Sequence, residues 1–347
     1  MTKKQPSWSA ARPRANRHGT VGAFIGIGHP HARSNDMTQT AWNSSDRPAM
    51  AEDAPPAKAS SHQTGFIGLG AMGGPMARNL AKAGLLSAVW NRTHSTARLW
   101  AEELGVVCAD SPADLAARVD VVLTCVSADV DLLAVIDALL PGLKPGAIVV
   151  DHSTVSSETA RGVAERVRSK GADFLDAPVS GGVEGARNGT LAVMVGGRAD
   201  SLERVRPVLE AMAARIVRMG DVGAGQATKA VNQIMCAGIN QAVTEALAFG
   251  ATQGLDMDKV VEVVAQGAAG NWFLDKRGHT MIHGSYTPGF KLALHQKDLR
   301  ICLAMAAGAG MELPITTMTA RDYAELMREG HGDEDISALY RLKRPTS

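Results

Sequence analysis

Lys229 lies in a helical stretch, residues 226–233, that carries no other charge. Asn232 and Gln233 follow it by three and four positions, so all three share one helix face. A lysine on such a face must be desolvated, and desolvation lowers its pKa. An amine tuned in this way can pass a proton to or from an oxygen atom. The competing reading is a lysine whose stem covers apolar surface while its ammonium reaches solvent. Upstream, Asp176-Ala177-Pro178-Val179-Ser180-Gly181-Gly182 ends in one hydroxyl and two glycines with accessible N–H groups. That combination suits a carboxylate, although a plain turn has the same composition. Further upstream, Gly68-Leu69-Gly70-Ala71-Met72-Gly73 spaces its glycines as G-x-G-x-x-G. Gly68 permits a tight turn, Gly70 lets a pyrophosphate approach the backbone, and Gly73 allows close helix–strand packing.

A glycine pattern alone is weak evidence and needs its flanks. Here Phe66 and Ile67 read as a short buried strand, and residues 76–83 read as a helix. The helix N-terminus then offers N–H groups and a positive dipole end to phosphates. An acid at the end of the second strand would hold an NAD ribose. This strand ends Trp90-Asn91-Arg92-Thr93, without a carboxylate. Arg92 can stack on adenine and pair with a 2′-phosphate, and the Thr93 hydroxyl lies beside it. These residues favour NADP (NADPH), with NAD possible. A solvated surface arginine is the bland alternative.

The elements that must position these groups alternate from Thr64 onward. Strands are expected at residues 87–90, 106–108, 121–126, 148–151, 173–175, 191–195 and 216–217. A helix with Ser111 as N-cap and Pro112 at its first position precedes the fourth strand. The fold class is therefore α/β, a doubly wound Rossmann sheet over residues 64–223. Strand signals then stop. A long, mostly apolar helix over residues 226–252 opens an all-α domain, residues 224–341, with a tail at 342–347. Further helices are expected at 256–266, 271–281, 290–307 and 315–328. The long helix needs burial on several sides, between domains or subunits.

Composition excludes several classes. The 347 residues carry a net charge of +1, so no nucleic acid partner is expected. No apolar run approaches the roughly 20 residues of a membrane span. Cys108, Cys125, Cys236 and Cys302 are scattered, with no metal or disulfide spacing. They read as reduced thiols in a cytoplasmic protein. Residues 1–63 are rich in Pro, Ser, Ala, Arg and His. They read either as a disordered extension or as sequence upstream of the true start, with Met37 and Met50 as internal candidates. The first 35 residues faintly resemble an Arg-rich transit peptide, against which their prolines argue. Residues 21–30 imitate a strand and glycine turn, but no third glycine falls in place.

Taken together, four separated motifs resemble the β-hydroxyacid dehydrogenase family. They are the Gly65–Gly73 turn, Asp176–Gly182 with Gly189-Thr190-Leu191, Gly225-Gln226-x-x-Lys229-x-x-Asn232-Gln233, and Lys297-Asp298-Leu299. That family includes 3-hydroxyisobutyrate dehydrogenase, 2-hydroxy-3-oxopropionate reductase and the glyoxylate/succinic semialdehyde reductases. The resemblance implies NAD(P)-dependent interconversion of a 3-hydroxy acid and its semialdehyde, a small carboxylate substrate, and Lys229 as the catalytic residue. It assigns Ser180, Gly181, Gly182 and Asn232 to substrate, and Val126, Ser127, Thr154 and Lys297 to the cofactor. Val126, Ser127 and Thr154 also stand at carboxyl ends of strands, where such sheets bind ligands. Lys297-Asp298 on its own reads equally as a surface ion pair. Rival readings are a 6-phosphogluconate dehydrogenase, for which the chain is short, an imine reductase, which usually lacks the lysine, and a non-catalytic NADP-binding scaffold. His152 and His295 are rival acid/bases. So much apolar helix implies a homodimer or homotetramer.

Overall fold

The computed structural model describes residues 63–344. The expected extension over residues 1–63 and its imitation of a glycine turn lie, Gln63 apart, outside the described residues. Strand and helix then alternate as β1 (Thr64–Ile67), α1 (Gly73–Lys82), β2 (Leu86–Trp90), α2 (His94–Leu104), β3 (Val107–Cys108), α3 (Pro112–Arg118), β4 (Val121–Thr124), α4 (Asp129–Leu139), β5 (Ile148–Asp151), α5 (Ser157–Arg168) and β6 (Asp173–Asp176). These six strands pair in parallel in the order β3-β2-β1-β4-β5-β6. The order reverses between β1 and β4, so a ligand crevice opens at the carboxyl ends of those two strands.

Side chains alternate across this sheet. Phe66, Leu123 and Val150 enter one core, while Ile67, Val122 and Val149 enter the other. Burial on both faces explains the unbroken apolar run of β4. Ser111 caps α3 by accepting from Asp114 N, with Pro112 in the first turn. The sheet continues through β7 (Val179–Ser180), α6 (Gly182–Asn188), β8 (Leu191–Gly196), α7 (Ala199–Glu210) and β9 (Ala213–Gly220). β8 runs antiparallel to β6 and β7, and β9 runs parallel to β8.

The helical part comprises α8 (Ala224–Thr252), α9 (Met257–Ala265), α10 (Trp272–Ile282), α11 (Leu292–Gly308), α12 (Pro314–Arg328) and α13 (Tyr340–Lys343). It has its own core, which includes Leu247, Leu299 and Tyr323. α8 packs on β8 and β9 near its start and on α10, α11 and α12 further along. No helix among the described residues is long and apolar enough to cross a membrane.

Many boundaries differ from the sequence expectations by one or two residues, and four differences bear on how the strand ends and the start of the helical part are built. β4 stops at Thr124 rather than Val126, because Val126 N turns to the Ser153 hydroxyl. α1 begins at Gly73, three residues early, since a glycine with no Cβ fits where the turn crosses the helix. β9 spans eight residues rather than two. Ser180-Gly181-Gly182 is not a free loop: Ser180 ends β7 and Gly182 starts α6. Both elements are short, and α6 holds two glycines in seven residues, which suppresses any local helix signal.

Candidate active site

The glycine turn fits a dinucleotide. A Cβ at Gly70 would meet nothing within 4 Å, which leaves open space above its backbone. Gly68 holds φ +95°, and a Cβ there would come 2.3 Å from the Cys125 carbonyl oxygen. α1 has no side-chain cap and no acidic residue in its first turn; Gly74 N already donates to the Gly70 carbonyl and Met76 N to that of Met72, so the positive dipole end and the N–H groups of the turn ahead of Gly74 are what it offers an anion. Asn91 accepts a hydrogen bond from Leu69 N at 3.0 Å, and Gly68 N donates to the Trp90 carbonyl. The turn and the end of β2 are thereby locked together. Ala71 is exposed, Met72 is half-buried, and Thr93 is exposed at the N-cap of α2 without using its hydroxyl as a cap. The Arg92 side chain is 82% exposed and pairs with Asp131 at 2.7 Å. An exposed pair of this kind contributes little, so it leaves the guanidinium available.

The other strand ends converge on the same crevice. Thr124 and Ser153 both donate to Asp151 Oδ1, at 2.7 and 2.6 Å. Val126 N donates to Ser153 Oγ at 2.8 Å, and Ser127 follows it, exposed. The Lys297 ammonium, from α11, donates to the Thr154 carbonyl and pairs with Asp298 at 2.9 Å. Burial pushes the Asp151 carboxyl up to about 6.

α8 carries the remaining groups. Lys229 is only 8% exposed, and its ammonium donates to the Val179 carbonyl at 2.8 Å, next to Ser180. Burial lowers the Lys229 pKa, with the Asp298 carboxylate opposing part of that fall. The Ser180 hydroxyl meets Asn232 Oδ1 at 3.4 Å. Asn232 Nδ2 donates to Gln233 Oε1 at 2.8 Å, and Gln233 Nε2 donates to Asp298 Oδ2 at 2.6 Å. Gly181 and Gly182 both have positive φ, which suits converging N–H groups. Gly182 also faces the Gly289 carbonyl of the helical part. Lys229, Ser180, Gly181, Gly182 and Asn232 therefore stand together, and Lys297 and Thr154 meet on the cofactor side.

Sequence reasoning missed the residues that align this group. Asp176 accepts from Gly223 N and Gln226 N at 2.7 and 2.9 Å. Gln226 in turn donates to the Ser153 carbonyl and accepts from Val155 N, which ties α8 to the end of β5. A polar stripe at helical spacing, Gln226, Lys229, Gln233 and Asn240, was the available signal. The rival histidines are structural. His152 Nδ1 lies 2.8 Å from the Ala177 carbonyl, and His295 lies between Tyr323 and the Gln233 carbonyl. Burial lowers both to about 4.

The family model described as the NAD binding domain of 6-phosphogluconate dehydrogenase matches residues 63–220. That of the NAD-binding domain of NADP-dependent 3-hydroxyisobutyrate dehydrogenase matches residues 223–343. The chain is 38% identical to a Pseudomonas aeruginosa 3-hydroxyisobutyrate dehydrogenase, covering 80% of this chain and 98% of the relative. It is 37% identical to the Escherichia coli 2-hydroxy-3-oxopropionate reductase, covering 79% and 94%. Among solved structures, Mycobacterium tuberculosis 3-hydroxyisobutyrate dehydrogenase with L-serine superposes with a TM-score of 0.75 at 33% identity, covering 82% and 99%. With both halves matched and the dinucleotide crevice opening beside a buried lysine, the chain belongs to the β-hydroxyacid dehydrogenase family and is an NAD(P)-dependent oxidoreductase.

Proposed function

We propose that this protein interconverts a small 3-hydroxy acid and its semialdehyde with NADP(H), with Lys229 as general acid and base. Candidate substrates are of the 2-hydroxy-3-oxopropionate, glyoxylate, succinic semialdehyde or 3-hydroxyisobutyrate type. The observation that carries this reading is the buried Lys229 ammonium on the Val179 carbonyl, beside the Ser180 hydroxyl and Asn232. Ser180 and the N–H groups of Gly181 and Gly182 bind the substrate carboxylate. The reacting carbon then lies toward Lys229. The nicotinamide, when bound, supplies or accepts the hydride. Lys229 donates a proton to the oxygen that gains charge during reduction, and its neutral amine takes that proton during oxidation.

Gly68 to Gly73 and the start of α1 hold the pyrophosphate, with Val126, Ser127, Thr154 and Lys297 along the nicotinamide side. Arg92, Asn91 and Thr93 hold the 2′-phosphate of NADP, where an acid would otherwise bind a ribose hydroxyl. The four free cysteines suit a reducing, cytoplasmic compartment. Steady-state kinetics on C2 to C4 hydroxy acids and aldehydes with both cofactors tests the proposal. We expect turnover of at least one pair and a lower KM for NADP(H) than for NAD(H). Inactivity across the panel sinks the function, and a strong NAD preference sinks the role of Arg92.

A further inference from the structure

The end of β2 carries no acid of its own, yet the fold brings one to it. Arg92 Nη1 donates to Asp131 Oδ1 at 2.7 Å. Asp131 stands 39 positions away in sequence, in the first turn of α4. Among the described residues Asp131 is the one side chain that pairs with Arg92, and Arg92 the one that pairs with Asp131. The other acid of that turn, Asp129, is engaged elsewhere, since its Oδ1 accepts from Ser156 N at 2.9 Å. Asp129 also gives the N-terminus of α4 a negative charge to meet its dipole, so the helix does not need Asp131 for that purpose.

The Arg92–Asp131 pair acts on the two cofactors unequally. A phosphate monoester carries about −1.5 to −2 charges at pH 7. Such a group can share Arg92 with Asp131, whose carboxylate then repels it. Otherwise it draws the guanidinium away and breaks the pair. Both routes cost NADP(H) affinity. NAD(H) presents a neutral ribose hydroxyl instead and meets neither cost. The opposite reading, in which Asp131 orients Arg92 for the phosphate, needs the guanidinium to be held. One contact on a side chain that is 82% exposed does not hold it, because the remaining N–H donors and the long stem stay free.

We propose that Asp131 is a specificity-determining residue: by competing with the 2′-phosphate for Arg92, it weakens the preference for NADP(H) and leaves NAD(H) binding untouched. This rests on the 2′-phosphate role proposed above for Arg92. Cofactor choice is then set by a cation after β2 and an opposing acid at the start of α4, and not by the β2 end alone.

The test is fluorescence titration of NADPH and NADH, at one ionic strength, into the wild type, Asp131→Asn, Asp131→Ser and Arg92→Ala. Loss of the Asp131 charge should tighten NADPH by about three- to tenfold, the weight of one screened charge and one exposed pair, and leave NADH within about twofold. Added KCl should shrink the gain, because exposed charges are screened. The serine variant answers the same question if the asparagine variant does not fold. Unchanged or weaker NADPH binding in a folded variant overturns the inference, since Asp131 then either orients Arg92 or does nothing to the phosphate. An equal gain for both cofactors also overturns it, because the change would then lie in α4 and not at the 2′ position. Arg92→Ala tests the premise separately and should weaken NADPH while sparing NADH. If it does not, Arg92 does not hold the phosphate, and the inference falls with that role whatever the Asp131 variants do.

Discussion

Lys229 is the group whose environment makes the sharpest demand on experiment. Its ammonium is desolvated and held by a single carbonyl. Lys229→Ala should lower turnover by ~10²–10⁴-fold, the weight of a general acid/base. NADPH affinity, read by fluorescence titration, should stay nearly constant. The pH dependence has a definite sign. Reduction needs the ammonium, so its rate falls as pH rises through the lowered lysine pKa. Oxidation needs the neutral amine, so its rate rises over the same interval. His152 and His295 are held near 4, so neither should contribute a limb near the ordinary histidine pKa of ~6.5. A limb there that persists in Lys229→Ala would return the role to a histidine. Lys229, Asn232 and Ser180 were legible because residue type and spacing mark them. The Val179 carbonyl, Asp176 and the partner of Gln226 were not, since each bond spans 47 positions or more.

Among the elements, the start of α8 governs where the lysine sits. A Cβ at Gly225 would come 2.4 Å from the Met194 carbonyl oxygen and 2.6 Å from that of Asp176. The helix can therefore approach β6 and β8 only with glycine at this position. Asp176 then holds the backbone of Gly223 and Gln226, and Lys229 follows one turn later. Gly225→Ala should destabilise the protein by about 1–3 kcal/mol, the usual cost of overpacking. It should also lower kcat more than a displacement-free change would, because it lifts the helix that carries Lys229. Chemical denaturation together with kcat measures both, and wild-type values in each would dismiss the close approach as unimportant. The strands and long helices were readable from apolar periodicity. β7 and α6 were not, because two- and seven-residue elements exist only by pairing with β8 and packing under it.

For the molecule as a whole, α8 leaves one face uncovered. Val231, Met235, Ile239 and Phe249 are exposed on it, Met235 at 62% and Phe249 at 65%. An apolar stripe along a helix of 29 residues is a natural surface for self-association. We expect a homodimer or homotetramer by light scattering, and Met235→Glu with Phe249→Glu should shift it toward monomer. A monomeric wild type would refute the expectation. The residue order alone carries the α/β alternation, the glycine turn, the absence of an acid after β2 and the lysine face of α8, because each is a local pattern of type and period. The pairing of Lys229 with Val179, the contact of Asn232 with Ser180 and the meeting of Lys297 with Thr154 arise only on folding. They depend on which strand ends and helix faces the sheet order brings within hydrogen-bond distance, and no local pattern encodes that proximity.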